Sequence, residues 1–423
     1  MTKHSGRQHE QIESTPMPAE RRFGVFMGPA LVIAIGLVDP GNIAANFTAG
    51  ASSGYLLVWV LIIANALSMF VQYLSAKLGL VTGATLPHLI SVRLSSPIRF
   101  VFFFQAQIAA AATDIAEVIG GALALLILFG IPLILGAVIV ILVSLGMLSV
   151  QRKGARTFEG VIITCLAVVV VGFVAGAFVG GVNWHDLAAG MIPRFDGVQS
   201  LLIAASMVGT TVMPHAMYLH SGLVLNRTDF VRNSGHLRRV LAANRADAVV
   251  AFVVATVVNI AMLALTVGLV VRPTNTDTIV SAAHAIHSQF GGLMEALFGI
   301  VLLASGLASA SVGSYAGSMI MNEFLTVRLS VLFRRTITAI PVLILLSIGV
   351  SPTWLIVWSQ VLLSFCIPFA LIPLAWFTSR YGIMGEFRNG VGVRALSVVI
   401  VVVIVALNVF LVWSALMPAG AGS

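Results

Sequence analysis

The sequence predicts an all-α integral membrane protein of eleven transmembrane helices, built as a 5+5 inverted repeat plus one, with helices 1 and 6 broken. Three observations lead there. Of 423 residues, 59% are hydrophobic and 9% charged, with a mean hydropathy of +1.05. That is the composition of a chain whose solvent is largely lipid. The apolar residues fall into eleven separate runs, most of them near the roughly 20 residues a helix needs to cross a bilayer. Two of those runs are interrupted by proline and polar residues, half a protein apart.

In order, the runs lie near 27–50, 55–76, 99–128, 131–150, 158–182, 198–225, 244–271, 290–322, 335–350, 353–379 and 392–414. They are read as helices because a lipid-exposed backbone must satisfy its own N–H and C=O groups. The ninth is short. Residues 1–25 form a polar tail of mixed charge, without the pattern of a cleaved signal peptide. Residues 26–182 then make a first five-helix repeat, 198–379 a second, and 392–414 the eleventh helix. Cys165 and Cys366 sit in apolar runs far apart, which suits buried free thiols and neither a disulfide framework nor a thiolate metal site.

Lys and Arg set the orientation. They occupy the tail (Lys3, Arg7, Arg21, Arg22) and every second connection, from Lys77, Arg93 and Arg99 through to Arg380, Arg388 and Arg394. Only Arg194 and Arg272 of the 23 fall on the other side. By the positive-inside rule the N-terminus is cytoplasmic and the C-terminus external. The net charge of +8 is therefore a topology signal spread over short loops, which excludes a nucleic-acid binder.

The first break reads Asp39-Pro40-Gly41-Asn42. Asp39 should cost roughly 2.5–3.5 kcal/mol at a bilayer centre. Pro40 removes a helical hydrogen bond, and Gly41 is a poor helix former. The second break lies in "VGTTVMPHAMYLHSG", residues 208–222. The breaks take equivalent positions if spans 1–5 and 6–10 are two halves, and since five is odd the second half is inverted. Paired broken helices in inverted halves point to a secondary-transporter site near the midplane. Because proline has no N–H, Pro40 frees the carbonyl of Gly36 and Pro214 that of Thr210. Asp39 and Asn42 add side-chain oxygens, and Met213 adds a thioether sulfur. Oxygen with one soft sulfur and no thiolate describes a site for Mn²⁺ or Fe²⁺. A lone proline kink or a lone methionine is ordinarily structural, whereas an intramembrane acid is functional by default.

These two motifs resemble the signatures of the Nramp family of proton-coupled divalent metal transporters, whose bacterial members are usually manganese importers. The resemblance covers essentially residues 20–415 and includes "LSAKLG" at 74–79, "ATDIAE" at 112–117, "LLASGLASASVG" at 302–313 and "SQVLLSFCIPFALIPL" at 359–374. It implies a LeuT-like fold. It implies as metal ligands Asp39, Asn42, Met213 and the Thr210 carbonyl, with the Gly36 carbonyl joining in another conformational state. Gln360, in span 10, either approaches the metal when the site is occluded or makes an interhelical hydrogen bond. Two residues depart from the family pattern. Thr210 stands where alanine is expected, and Gln107 where some relatives carry Glu.

For the proton, Asp114 and Glu117 are spaced i, i+3 on one face of span 3. Together they cost roughly 5–7 kcal/mol in lipid, so they face the bundle interior or water. Arg334 and Arg335, at the start of span 9, either are orientation signals or pair with these acids, as the resemblance favours. His215 either titrates near neutral pH or packs through a hydrogen bond. Asp39 serves as metal ligand and proton acceptor. His220 is expected to bond a neighbouring helix, and the external His284 and His287 lack further ligands at useful spacing. No nucleotide-binding loop or nucleophile–base arrangement is present, so no enzyme is expected. The expected partners are a divalent metal ion, a proton and the lipid of a plasma membrane. The metal is substrate and not cofactor, and no obligate protein partner is evident. A magnesium transporter of related architecture and an amino-acid symporter on the same fold remain as alternatives, both poorly served by Met213. A channel is disfavoured by so ligand-rich a site.

Overall fold

Proline decides where the central helices begin. The computed structural model describes residues 30, 33, 38–151, 155–225, 237–269, 278–324 and 340–416, and all regular elements among them are helical. The first half comprises α1 (Pro40–Ser53), α2 (Val58–Thr82), α3 (Leu86–Arg93), α4 (Ser96–Phe129), α5 (Leu133–Gln151) and α6 (Ala155–Gly180). After a short α7 (Trp184–Ala189), the second half runs through α8 (Gly197–Thr211), α9 (Pro214–Leu223), α10 (Leu237–Gly268), α11 (Thr278–Phe290), α12 (Gly292–Phe324) and α13 (Pro352–Ser379). The last helix is α14 (Val391–Leu416). The expected tail, the N-terminal half of span 1 apart from Ala30 and Ile33, and residues 335–339 of span 9 lie outside the described residues, while residues 340–347 of that span are helical.

Among the described residues, seven helices are long and apolar enough to cross a membrane, with Leu133–Ser144 and Ala167–Gly180 as shorter apolar stretches. The unit Gly197–Leu223 has 89% of its apolar window buried inside the protein, against 28% for the last helix. Span 6 is therefore the centre of the bundle and span 11 its rim. Span 1 is central too, since Pro40 through Gly50 are all buried. It packs on α8, α10 and α13, while α4 packs against α12 and α13.

Two features differ from the expected spans. Span 7 starts at Leu237, seven residues before position 244. Its added turns are amphipathic: Arg238 and Arg239 are exposed, while Val240 and Leu241 bury against Ala76, Leu80 and Val224. That burial extends the helix beyond its apolar run. The connections also hold helices that hydropathy does not register. Thr85 caps α3 at His88 N (3.1 Å), and Asn183 caps α7 at His185 N (3.1 Å).

Candidate metal site

Both breaks have the same local construction. Asp39 (φ −95°, ψ 170°) and Met213 (φ −62°, ψ 120°) are extended, as a residue before proline tends to be. Pro40 and Pro214 then occupy the first helical position, where the fixed φ fits and the missing N–H costs nothing. On the other side of the second break, α8 ends at Thr211. The Val208 carbonyl is taken by Val212 N (2.8 Å) and that of Thr211 by the Ser68 hydroxyl (2.7 Å). Thr210 is the residue whose successor, Pro214, has no N–H to return.

Asp39 sits where the breaks meet and is 0% exposed. Its Oδ1 accepts from Asn42 N (2.8 Å), Asn42 Nδ2 (3.0 Å) and the Thr210 hydroxyl (3.2 Å). Its Oδ2 is buried and accepts no hydrogen bond. The Thr211 hydroxyl lies 3.4 Å from Asn42 Oδ1, its shorter bond going to the Met207 carbonyl (2.7 Å). Met213 is buried between the half-helices.

Gln360 comes in from α13. Its Nε2 donates to Ser359 Oγ (3.2 Å) on its own helix, and its Oε1 is buried without a hydrogen bond. Glycine makes room for it twice. A Cβ on Gly41 would stand 2.5 Å from Gln360 Nε2 and 3.0 Å from Asp39 Oδ2, and a Cβ on Gly209 would overlap the Gln360 carbonyl oxygen. Thus Gln360 and Asp39 Oδ2 flank the same glycine. Among the described residues, no hydrogen bond from the Gln360 side chain to another helix accompanies this.

The titratable groups form a second layer. His215 Nδ1 lies 3.4 Å from the Thr113 hydroxyl, which ties α9 to α4. One residue on, Asp114 and Glu117 are buried and line a small gap with Val140, Ser144 and Ala310, between α4, α5 and α12. Glu117 Oε1 accepts from Ser309 (3.0 Å). His220 meets Gln72 Oε1 (3.2 Å) on α2, as expected of it, and His287 meets Glu295 Oε2 (2.6 Å). Gly36, Arg334 and Arg335 lie outside the described residues.

Sequence reasoning missed several contributors. Ser305 donates to the Val38 carbonyl (2.6 Å), holding the strand of chain before Asp39. Gly120 takes the Pro40 ring against α4. Buried Asp247 on α10 accepts from Ala30 N (3.2 Å). As an acid inside a predicted span, Asp247 carried a signal that was readable; the serine and glycines acquire meaning only through their tertiary neighbours.

The Nramp profile, described as natural resistance-associated macrophage protein-like, matches residues 30–414. The chain belongs to the Nramp family. The divalent metal cation transporter MntH of Mycobacterium leprae is 46% identical over 389 residues, 92% of this chain and 91% of that protein. MntH of Bacillus subtilis is 40% identical, over 92% and 91%. Among solved structures, a mutant of the Eremococcus coleocola manganese transporter superposes with a TM-score of 0.83 at 28% identity, covering 94% of this chain and 88% of that one. Mhp1, a nucleobase-cation-symport-1 family transporter, shares the fold alone, at a TM-score of 0.61 and 15% identity over 91% and 90% of the two chains. The all-helical, LeuT-like membrane fold expected of this Nramp chain is the fold it has.

Proposed function

We propose that this Nramp protein is a secondary active transporter that imports divalent transition metal ions, Mn²⁺ first and also Fe²⁺ and Cd²⁺, coupled to proton entry by alternating access. The observation that carries this is Asp39 Oδ2, a buried carboxylate oxygen without a hydrogen bond at the meeting of two broken helices. Native structures seldom leave such an atom unsatisfied unless a non-protein group uses it. The Gln360 side chain, whose Oε1 is equally buried and unbonded, flanks Gly41 together with it. Asn42, Met213 and the Thr210 carbonyl complete a donor set of oxygens with one thioether, with Gly36 joining in another state. Hard Mg²⁺ or Ca²⁺ would gain little from the sulfur. The relatives named divalent metal cation transporters and manganese transporter support the same substrate class.

The protons pass by Asp39, His215 and the Asp114/Glu117 face, with Arg334 and Arg335 as partners of those acids. The protein crosses a plasma membrane eleven times, N-terminus inside and C-terminus outside. It needs no cofactor, since the metal is its substrate, and it is not an enzyme.

The test is Mn²⁺ uptake into proteoliposomes with internal pH recorded. Wild type should take up Mn²⁺ and acidify the lumen, and Asp39→Ala should abolish uptake while remaining folded and membrane-inserted. Near-normal uptake by that variant would remove the site from consideration.

A further inference from the structure

We infer that the hydroxyl of Thr210 is a positioning and selectivity element: it locks one oxygen of the Asp39 carboxylate so that the metal is offered the other alone. The inference deepens the proposed metal site and rests on it. Thr210 and Thr211 are adjacent, buried and on the same helix end, yet they use their protons differently. Thr211 bonds back to the Met207 carbonyl of its own helix (2.7 Å), the usual habit of a helical threonine. Thr210 instead donates across the break to Asp39 Oδ1 (3.2 Å). With Asn42 N and Nδ2 at 2.8 and 3.0 Å, that oxygen accepts three hydrogen bonds. Oδ2 accepts none. The carboxylate is therefore asymmetric by construction.

A one-oxygen carboxylate favours some ions over others. Ca²⁺ collects about six to eight oxygen ligands and readily takes a carboxylate through both oxygens. To do so here it would have to displace the Thr210 hydroxyl from Oδ1. An ion of lower coordination demand, satisfied by Oδ2 with amide, carbonyl and thioether donors, displaces nothing. Discrimination of this kind acts by penalising the competitor. It comes from a hard-oxygen constraint, independent of the Met213 sulfur.

Two near-isosteric variants separate the hydroxyl from the packing volume of this fully buried side chain. Thr210→Val keeps shape and removes the donor, whereas Thr210→Ser keeps the donor and removes a methyl. Mn²⁺ and Ca²⁺ binding are measured by calorimetry on detergent-purified full-length protein, with Mn²⁺ uptake under Ca²⁺ competition as a second readout. Loss of one hydrogen bond to a carboxylate should weaken Mn²⁺ binding about three- to tenfold in Thr210→Val and strengthen Ca²⁺ competition by a similar factor. Thr210→Ser should stay within about twofold of wild type in both. Wild-type Mn²⁺ affinity and Ca²⁺ competition in Thr210→Val, with binding lost in Asp39→Ala, would overturn the inference and leave the metal site standing. A larger defect in Thr210→Ser than in Thr210→Val would assign the residue to packing and overturn it too. Mn²⁺ binding that survives Asp39→Ala would overturn both.

Discussion

Met213 is the side chain whose chemistry the rest of the site does not duplicate. In the proposed metal site Asp39, Asn42 and Gln360 offer oxygen, and the sulfur alone is soft. Its removal should leave Mn²⁺ transport running on the oxygens and cost Cd²⁺ about tenfold in affinity, because that ion depends on the thioether. Met213→Ala also leaves room for a water oxygen, so millimolar Mg²⁺ or Ca²⁺ should compete better. Parallel Mn²⁺ and Cd²⁺ uptake with both competitors reads all three effects. Unchanged Cd²⁺ affinity together with unchanged competition would reduce Met213 to packing. At this scale the two breaks of the candidate site were legible in the sequence. Asp39 and the two prolines break a helix through chemistry that is local to each residue, so their effect needs no knowledge of the fold. Thr211, Ser305 and Gly120 were silent because a threonine, a serine or a glycine in a membrane helix is ordinary until its neighbour across the bundle is known.

At the scale of helices, close approach is what brings Gln360 to the site. The α8–α13 crossing puts the Gly209 Cα against the Gln360 backbone, and no side chain fits between them. Gly209→Ala should force these helices apart at a destabilisation of about 1–3 kcal/mol, read as a lower thermal midpoint in detergent and a weaker Mn²⁺ affinity. A drop in stability with unaltered affinity would mean that Gln360 does not contribute to binding. The same helix is clasped from outside by α14, where Asn408 Nδ2 donates to the Ser364 carbonyl (3.0 Å) and Ser364 Oγ to Asn408 Oδ1 (2.9 Å). Ser364 is one turn beyond Gln360, so the rim helix braces the helix that carries the amide. On α4, Asp114 and Glu117 line a gap with α5 and α12, a second location beside the proposed metal site at the breaks, and the proposed function gives the proton to the one and the metal to the other. Asp114→Asn combined with Glu117→Gln should therefore lower acidification per metal more than it lowers metal binding. Equal acidification per Mn²⁺ in wild type and double variant would place the proton route elsewhere.

For the molecule as a whole, the apolar runs coincide with the long described helices because a bilayer imposes a length and a polarity on each one. The connections were less legible. Helices α3, α7 and α11 obey caps and tertiary contacts, to which an apolar window is blind. Orientation rests on the charge asymmetry alone, in which Arg194 and Arg272 are the exceptions among 23 basic residues. Epitope tags at the two ends of the chain should be reached from opposite sides in intact cells, the C-terminal one from outside. Labelling of both tags from one side would refute an odd number of crossings.

The prolines that start α1 and α9 also have a mechanical meaning. A continuous helix is a stiff rod, and tilting one end of it moves the other. Where Pro214 interrupts the ladder, the α8 and α9 segments are joined through two residues, Val212 and Met213, and Pro214 has no N–H to give to the Thr210 carbonyl. Such a linkage transmits position and little torque. In the proposed alternating-access cycle, α8, which packs mainly on α13, and α9, which packs mainly on α2, would swing separately about the ion. Pro214→Ala would return an N–H to the Thr210 carbonyl and weld the joint. The welded protein should gain helicity and thermal stability, lose one backbone ligand, and turn over slowly even at saturating Mn²⁺, because a rod that cannot flex at its centre cannot present the same point to both sides of a membrane.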